Sequence, residues 1–480
     1  VTESANSSPL DLETALEALR TLSAEELLLP ILLQLGLIIV VARGFGLLFR
    51  RLGQPSVVGE IIAGIVLGPS LLGALFPGIS QAIFQPQIHG VDPALLEVTL
   101  GWVLMTLSHL GLILLLFLIG LEFDFHHLKL NGPAALGISI SGIAFPFVMG
   151  LGLAPLLVRV IEPHPEAEGP VPVWGFALFL GTALSITALP TLGRIMQELN
   201  IIRTRIGAVA ISSAAVDDAA GWILLAAVAA LVGGNFSAGT TLMMLGQTVA
   251  FTALMLVVAR PLLQRWARRT LARHGGDLSV TALAVLLVLI FSCSLVTNRI
   301  GIFAIFGAFV LGAAFSSEAP FREAVVRRLQ DLVTAFFLPI FFTYTGLRTN
   351  IGSLADPQLW LFCGMVFAVA VIGKLGGCAI AAQLGGLSWR ESACIGTLMN
   401  TRGLMGLIVI NVGYELKVVP ASVFCMLVMM AIATTLMTTP LLLRLAPGTE
   451  LEPLLKASGF LPSNPEGPPL QSVPLPTQSL

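Results

Sequence analysis

The chain has 480 residues, 56% hydrophobic and 11% charged, with a mean hydropathy of +0.93 and a net charge of −2. A soluble protein carries about 25% charged residues, so this composition excludes a soluble enzyme, a nucleic-acid binder, a disordered polypeptide and a secreted disulfide scaffold. A membrane helix uses about 20 predominantly apolar residues, which leaves room for roughly a dozen crossings.

Residues 1–26 are polar and mildly acidic, with Leu12, Leu16, Leu19 and Leu22 at helical spacing. This predicts a short interfacial helix and no signal peptide, since a basic n-region and a small-residue cleavage site are missing. The membrane region is predicted over 27–445 as thirteen apolar segments: 27–49, 56–77, 99–120, 133–158, 172–194, 205–232, 240–259, 278–296, 300–316, 332–347, 359–384, 391–412 and 419–445. They lack the alternation of a membrane barrel, so each is read as a helix. Residues 446–480 are rich in Pro, Ser and Gly and read as a disordered cytoplasmic tail. A strand–GxGxxG–helix pattern is not found there, so no nucleotide-binding domain is expected in it.

The basic residues orient the segments. With the N-terminus outside, seventeen of the 25 Lys and Arg fall in inward loops, five fall outward (Arg20, Arg159, Arg299, Arg348 and Lys417), and Arg43, Lys374 and Arg402 lie within spans. The positive-inside rule therefore favours N-out, C-in. All five cysteines (Cys293, Cys363, Cys378, Cys394 and Cys425) fall in apolar spans and read as small hydrophobes. No cofactor is implied.

A charge at mid-bilayer costs about 2.5–3.5 kcal/mol on insertion scales, so it needs a partner or a function. Five qualify: Glu60 in the second segment, Asp217 and Asp218 in the sixth, Lys374 in the eleventh and Arg402 in the twelfth. Arg43 and Glu122 lie nearer segment ends, where snorkelling explains them. Asp217 and Asp218 point about 100° apart on a helix, so one can face a cavity while its neighbour faces another helix. A hard monovalent cation wants oxygen ligands, and a carboxylate can exchange such a cation for a proton. A purely structural Asp–Lys bridge is the competing reading, but two adjacent acids exceed what one bridge needs. Lys374, central in its span, requires a counter-ion, which one of the two aspartates can supply.

Two spans carry helix breakers near mid-membrane. Thr182 to Pro190 combines hydroxyls with a proline, and Met399 to Gly406 places Asn400, Thr401, Arg402 and two glycines in an apolar stretch. With segments 1–6 and 8–13 taken as two six-helix repeats and segment 7 as linker, these broken spans are equivalent. The odd offset of seven spans makes the repeats inverted, and paired broken helices in inverted repeats point to a transporter ion site. Ser185 and Thr187 are candidate ligands to the ion beside Asp217 and Asp218. Arg402 is read as a structural charge that balances half-helix ends or bridges to Glu60 or Glu122. A gated channel is the reading from another class. An intramembrane aspartyl protease is disfavoured because it needs two aspartates facing each other from separate helices.

These residues carry a resemblance. Gln54 to Pro69 (QPSVVGEIIAGIVLGP), Leu116 to Glu122 (LFLIGLE), the Asp217–Asp218 pair, Lys374 and Asn400 to Gly403 (NTRG) resemble the monovalent cation:proton antiporter superfamily. The branch is its second, with the NapA-type Na⁺/H⁺ antiporters, Kef-type potassium systems and plant CHX exchangers. The resemblance covers about 27–445. It implies an all-α homodimer in an energised membrane, such as a bacterial inner or thylakoid membrane. Each protomer has a dimerisation domain and a six-helix core with two crossed, unwound helices, and works by an elevator-type cycle. It implies Asp218 as principal carrier of Na⁺ and H⁺, and Asp217 as the partner of Lys374. An Asp–Asp pair implies electrogenic exchange, two protons per cation. Kef-type members commonly have Gln–Asp there and a C-terminal nucleotide-binding domain, and the lack of both weakens a potassium-efflux reading; K⁺ is the alternative cargo because nothing in the sequence fixes the cavity size.

Overall fold

The computed structural model describes residues 24–86, 93–122, 132–161, 173–202, 204–233, 238–302, 304–458 and 460, and these residues form helices without strands. The interfacial helix expected before residue 24, and most of the tail, lie outside the described residues. Among the described residues, nine helices are long and apolar enough to cross a membrane, and three shorter ones (Val173–Ser185, Ala304–Phe315 and Met405–Glu415) are also apolar.

In chain order the main helices are α1 (Ala24–Arg51), α2 (Ser56–Leu67), α3 (Pro93–Glu122), α4 (Gly132–Leu157), α5 (Val173–Ser185), α6 (Leu189–Glu198) and α7 (Arg205–Gly233). They continue as α8 (Ala238–Ala253), α9 (Arg260–Arg273), α10 (Val280–Ile300), α11 (Ala304–Phe315), α12 (Ala319–Leu332) and α13 (Leu338–Leu347). The last are α14 (Pro357–Val371), α15 (Gly377–Leu384), α16 (Trp389–Met399), α17 (Leu404–Glu415), α18 (Ala421–Leu445) and the short α19 (Glu452–Ala457).

Several boundaries differ from the sequence expectation for local reasons. The second segment stops as a helix at Leu67, where Gly68-Pro69 follows, and continues as two short helices, Leu72–Leu75 and Pro77–Phe84. A proline disfavours helical geometry in the residue before it. The seventh segment runs without a break from α8 through a π-helical turn (Leu254–Ala259) into α9. Its arginines (Arg260, Arg265, Arg268, Arg269 and Arg273) therefore extend a helix instead of filling a loop. A second π-helical turn (Val333–Phe337) joins α12 to α13, and a third (Ile372–Gly376) joins α14 to α15. The tail departs from its expected disorder at its start. Leu451 and Leu455 are fully buried against α6, α7 and α16, and this apolar anchor orders α19.

The helices fall into two packing sets. In one, α2 lies against α1 and α13, and α3 against α11 and α13, with α10 on α11. In the other, α4 lies against α5, α7 and α15, and α17 against α5, α7 and α18. Glycines set the closest approach in the first set. A methyl at Gly64 would fall on the carbonyl of Thr343, and one at Gly346 on that of Ile61, so α2 and α13 cross backbone to backbone. Small residues at such crossings let packing hold helices together in lipid. Gly346→Leu is accordingly expected to cost roughly 1–3 kcal/mol of stability by overpacking. Gly364→Leu, where a side chain meets open space, should be neutral. Thermal unfolding of the detergent-solubilised chain compares the two, and equal melting temperatures would contradict the crossing.

Candidate functional site

The fifth and twelfth segments are both interrupted. Helix α5 ends at Ser185 and α6 begins at Leu189, while α16 ends at Met399 and α17 begins at Leu404. The first break lies just ahead of Pro190, which has no N–H to donate and restricts the residue before it. The second falls on Asn400 to Gly403. The two breaks meet. Ala188 N donates to Thr401 O at 3.1 Å, and Thr187 Oγ1 donates to Met399 O at 2.7 Å.

Breaking a helix leaves unpaired N–H groups, with partial positive charge, at one new end and unpaired C=O groups, with partial negative charge, at the other. The charged side chains match these signs. At the carbonyl end of α5, Arg402 donates from Nη1 to Ala183 O (3.1 Å) and Ile186 O (2.6 Å), and from Nη2 to Leu184 O. Lys374 Nζ donates to Ser185 O at 2.5 Å. At the N–H end of α6, Asp217 Oδ2 accepts from Thr187 N at 2.7 Å.

Asp217 and Lys374 close the arrangement. Nζ lies 2.9 Å from Oδ2 and 3.0 Å from Oδ1, with both side chains 0% exposed. Of the two aspartates open to Lys374 from sequence, Asp217 is the one in contact. The lysine projects from the π-helical turn Ile372–Gly376, a feature frequent at functional sites. Gly373 lets this turn reach α4, since a methyl there would lie 2.8 Å from Pro146 Cα.

Asp218 is 3% exposed, and among the described residues no Lys, Arg or His pairs with it. Trp222 lies one turn further along α7. Trp222 stacks on Phe309 of α11, with ring centroids 6.2 Å apart. Ser185 and Thr187 are both fully buried at the first break. The Ser185 hydroxyl donates to Thr182 O at 3.0 Å, so the oxygens of both hydroxyls keep lone pairs free to accept.

The structure separates the roles open to Arg402 and Glu60. Arg402, 1% exposed, spends its guanidinium on the α5 carbonyls, so it balances a half-helix end and does not bridge to Glu60. Glu60 lies on α2, where its carbonyl accepts from Thr343 Oγ1 at 3.3 Å and its side chain packs near Gly46. That position belongs to the other packing set. The side chain of Glu122 lies outside the described residues. Sequence reasoning did not assign the Ser185 carbonyl and the Thr187 amide, which are backbone groups without a side-chain signature. It also left out Asn400 as a ligand, although its Oδ1 is a buried oxygen without a hydrogen-bond partner among the described residues.

The family profile described as "Sodium/hydrogen exchanger, transmembrane" matches residues 36–444. The chain is 38% identical over 422 residues to the Na⁺/H⁺ antiporter NhaS4 of Synechocystis sp., covering 88% of this chain and 98% of that one. It is also 38% identical over 412 residues to cation/H⁺ antiporter 18 of Arabidopsis thaliana, covering 86% of this chain and 48% of the relative. The chain thus spans about half the length of that plant relative. The solved sodium proton antiporter MjNhaP1 of Methanocaldococcus jannaschii shares the fold, with a TM-score of 0.63 at 13% identity, covering 90% of this chain and all of that one.

Removing one partner of a buried ion pair strands the other, at a typical cost of 3–5 kcal/mol. Lys374→Ala is therefore expected to lower the melting temperature of the purified chain sharply. Adding Asp217→Asn should restore most of the loss. Additive effects of the two substitutions would show that the bridge carries no coupling energy.

Proposed function

The chain belongs to the sodium/hydrogen exchanger family, and from that membership and the site geometry we propose that it exchanges Na⁺, and Li⁺ with it, for protons. Two protons move per cation, in an elevator-type alternating-access cycle. The active form is a homodimer in a bacterial inner or thylakoid membrane. Its thirteen crossings, in two inverted six-helix repeats, run N-out to C-in. The chain is a transporter, not an enzyme.

The observation that carries this reading is the asymmetry of the aspartate pair. Asp217 is held by Lys374 and by a backbone N–H, while Asp218 beside it has no basic partner among the described residues. A buried carboxylate without a counter-charge needs a proton or a cation to neutralise it. Either suffices, and they exclude one another, which is the requirement for exchange. The hydroxyls of Ser185 and Thr187 add oxygens to the cation's shell, and Asp217 contributes a further carboxylate when its bridge opens. Opening that bridge releases Lys374 to take up or give off the second proton. Arg402 and Glu60 hold the surrounding helices without touching the ion.

Proteoliposomes with an imposed pH gradient test the proposal. Na⁺ and Li⁺ should dissipate the gradient, and Asp218→Asn should abolish the response. Exchange of K⁺ alone would reassign the cation. Absence of any cation-driven proton flux, or full activity in Asp218→Asn, would overturn the reading.

A further inference from the structure

We propose that Arg348 and Glu415, assisted by His109, form a latch that closes the outer approach to Asp218 and opens once in each transport cycle. The proposal rests on the exchange reading above.

The latch lies where the two packing sets touch. Arg348 caps the end of α13, which packs on α2 and α3; Glu415 ends α17, which packs on α5, α7 and α18. Arg348 Nη1 is 3.3 Å from Glu415 Oε1 and 3.4 Å from Asn411 Oδ1, one turn earlier on α17. The guanidinium carbon sits 5.0 Å from the Tyr344 ring and 4.9 Å from the Tyr414 ring, so one aromatic face from each set holds it. His109 Nε2 of α3 approaches Glu415 Oε2 at 3.6 Å. Asn411 adds another bond between the sets, from Nδ2 to Thr345 Oγ1 at 3.0 Å.

Beside this contact, with His109 and Glu415 in its wall, is a cavity of about 350 Å³ lined mainly by apolar side chains, among which Ser108, Asn298 and Asn411 place polar groups. Polar groups inside a membrane span are costly against lipid and suit a route that water or an ion can enter. The cavity also reaches Ile305 on α11. One turn further on α11 is Phe309, stacked on Trp222, and Trp222 lies one turn beyond Asp218 on α7. Ile305 of the cavity, Phe309, Trp222 and Asp218 thus follow one another in steps of one helical turn or one ring contact, which puts the aromatic stack between the cavity and the carrier carboxylate.

Partial exposure suits a contact that must break. The Arg348 and Glu415 side chains are 20% and 26% exposed, between the fully buried Asp217–Lys374 pair and a solvated surface pair of little worth. In the proposed N-out orientation both residues sit at outward helix ends, so the latch closes the outer face.

The full chain in right-side-out vesicles tests this with Ser108→Cys as a reporter, labelled by a membrane-impermeant maleimide. The native cysteines alone give the background rate. Adding Glu415→Gln, or separately Arg348→Gln, should speed labelling of Cys at 108 roughly tenfold, the scale of one charge-assisted hydrogen bond. The charge-swapped pair Arg348→Glu with Glu415→Arg should return it toward the original rate. Unchanged labelling in both single variants, with the protein folded and transporting, overturns the latch. Faster labelling in a chain that exchanges no cation for protons would sink the antiport reading and leave the latch standing.

Discussion

A lysine and an aspartate, both shut away from solvent, hold each other at the point where two helices are broken. Each ion left water at a cost of several kcal/mol, and their attraction offsets that cost only with good geometry and satisfied neighbours. Both conditions are met: Lys374 reaches both oxygens of Asp217 and the Ser185 carbonyl, while Asp217 also accepts from the Thr187 amide. The bridge therefore ties α7, α5 and the turn between α14 and α15 to one point. The position of Asp218, one residue on, follows from it.

The breaks and the charges explain each other. An interrupted helix in lipid exposes backbone groups that no water can satisfy. Here Arg402 and Lys374 cover the carbonyl end of α5, Asp217 covers an N–H at the start of α6, and the two breaks bond to one another. Removing the charges would strand the backbone, and healing the breaks would strand the charges. Such mutual dependence keeps an irregular, polar centre stable inside an apolar protein. It also leaves one carboxylate without a basic partner among the described residues, which is the chemistry an exchanger needs.

Much of this was legible in the sequence because lipid penalises charge so heavily. Asp217, Asp218, Lys374 and Arg402 stood out as charges in apolar runs, and Pro190 and the Asn400 to Gly403 stretch marked both breaks. Other features were harder to read. Choosing Asp217 over Asp218 as the lysine's partner depends on helix rotation, which a run of apolar residues on every face does not encode, so only the motif resemblance pointed to Asp217. The π-helical turn that carries Lys374 has no composition of its own. Arg348, Glu415 and His109 come from three helices far apart in sequence, each near a place where a charge is ordinary, so only the fold brings them together. The tail shows the converse error: Pro and Gly suggested disorder, but Leu451 and Leu455 suffice to anchor a short helix.

The central claim is that two carboxylates with one lysine move two protons for each cation. The reversal potential of exchange in proteoliposomes measures this most directly, because it fixes the coupling ratio without reference to rate. With Na⁺ and pH gradients set against each other, the account predicts a null point that shifts with membrane potential as two protons per Na⁺ require. A null point independent of membrane potential, as one-for-one exchange gives, would contradict it.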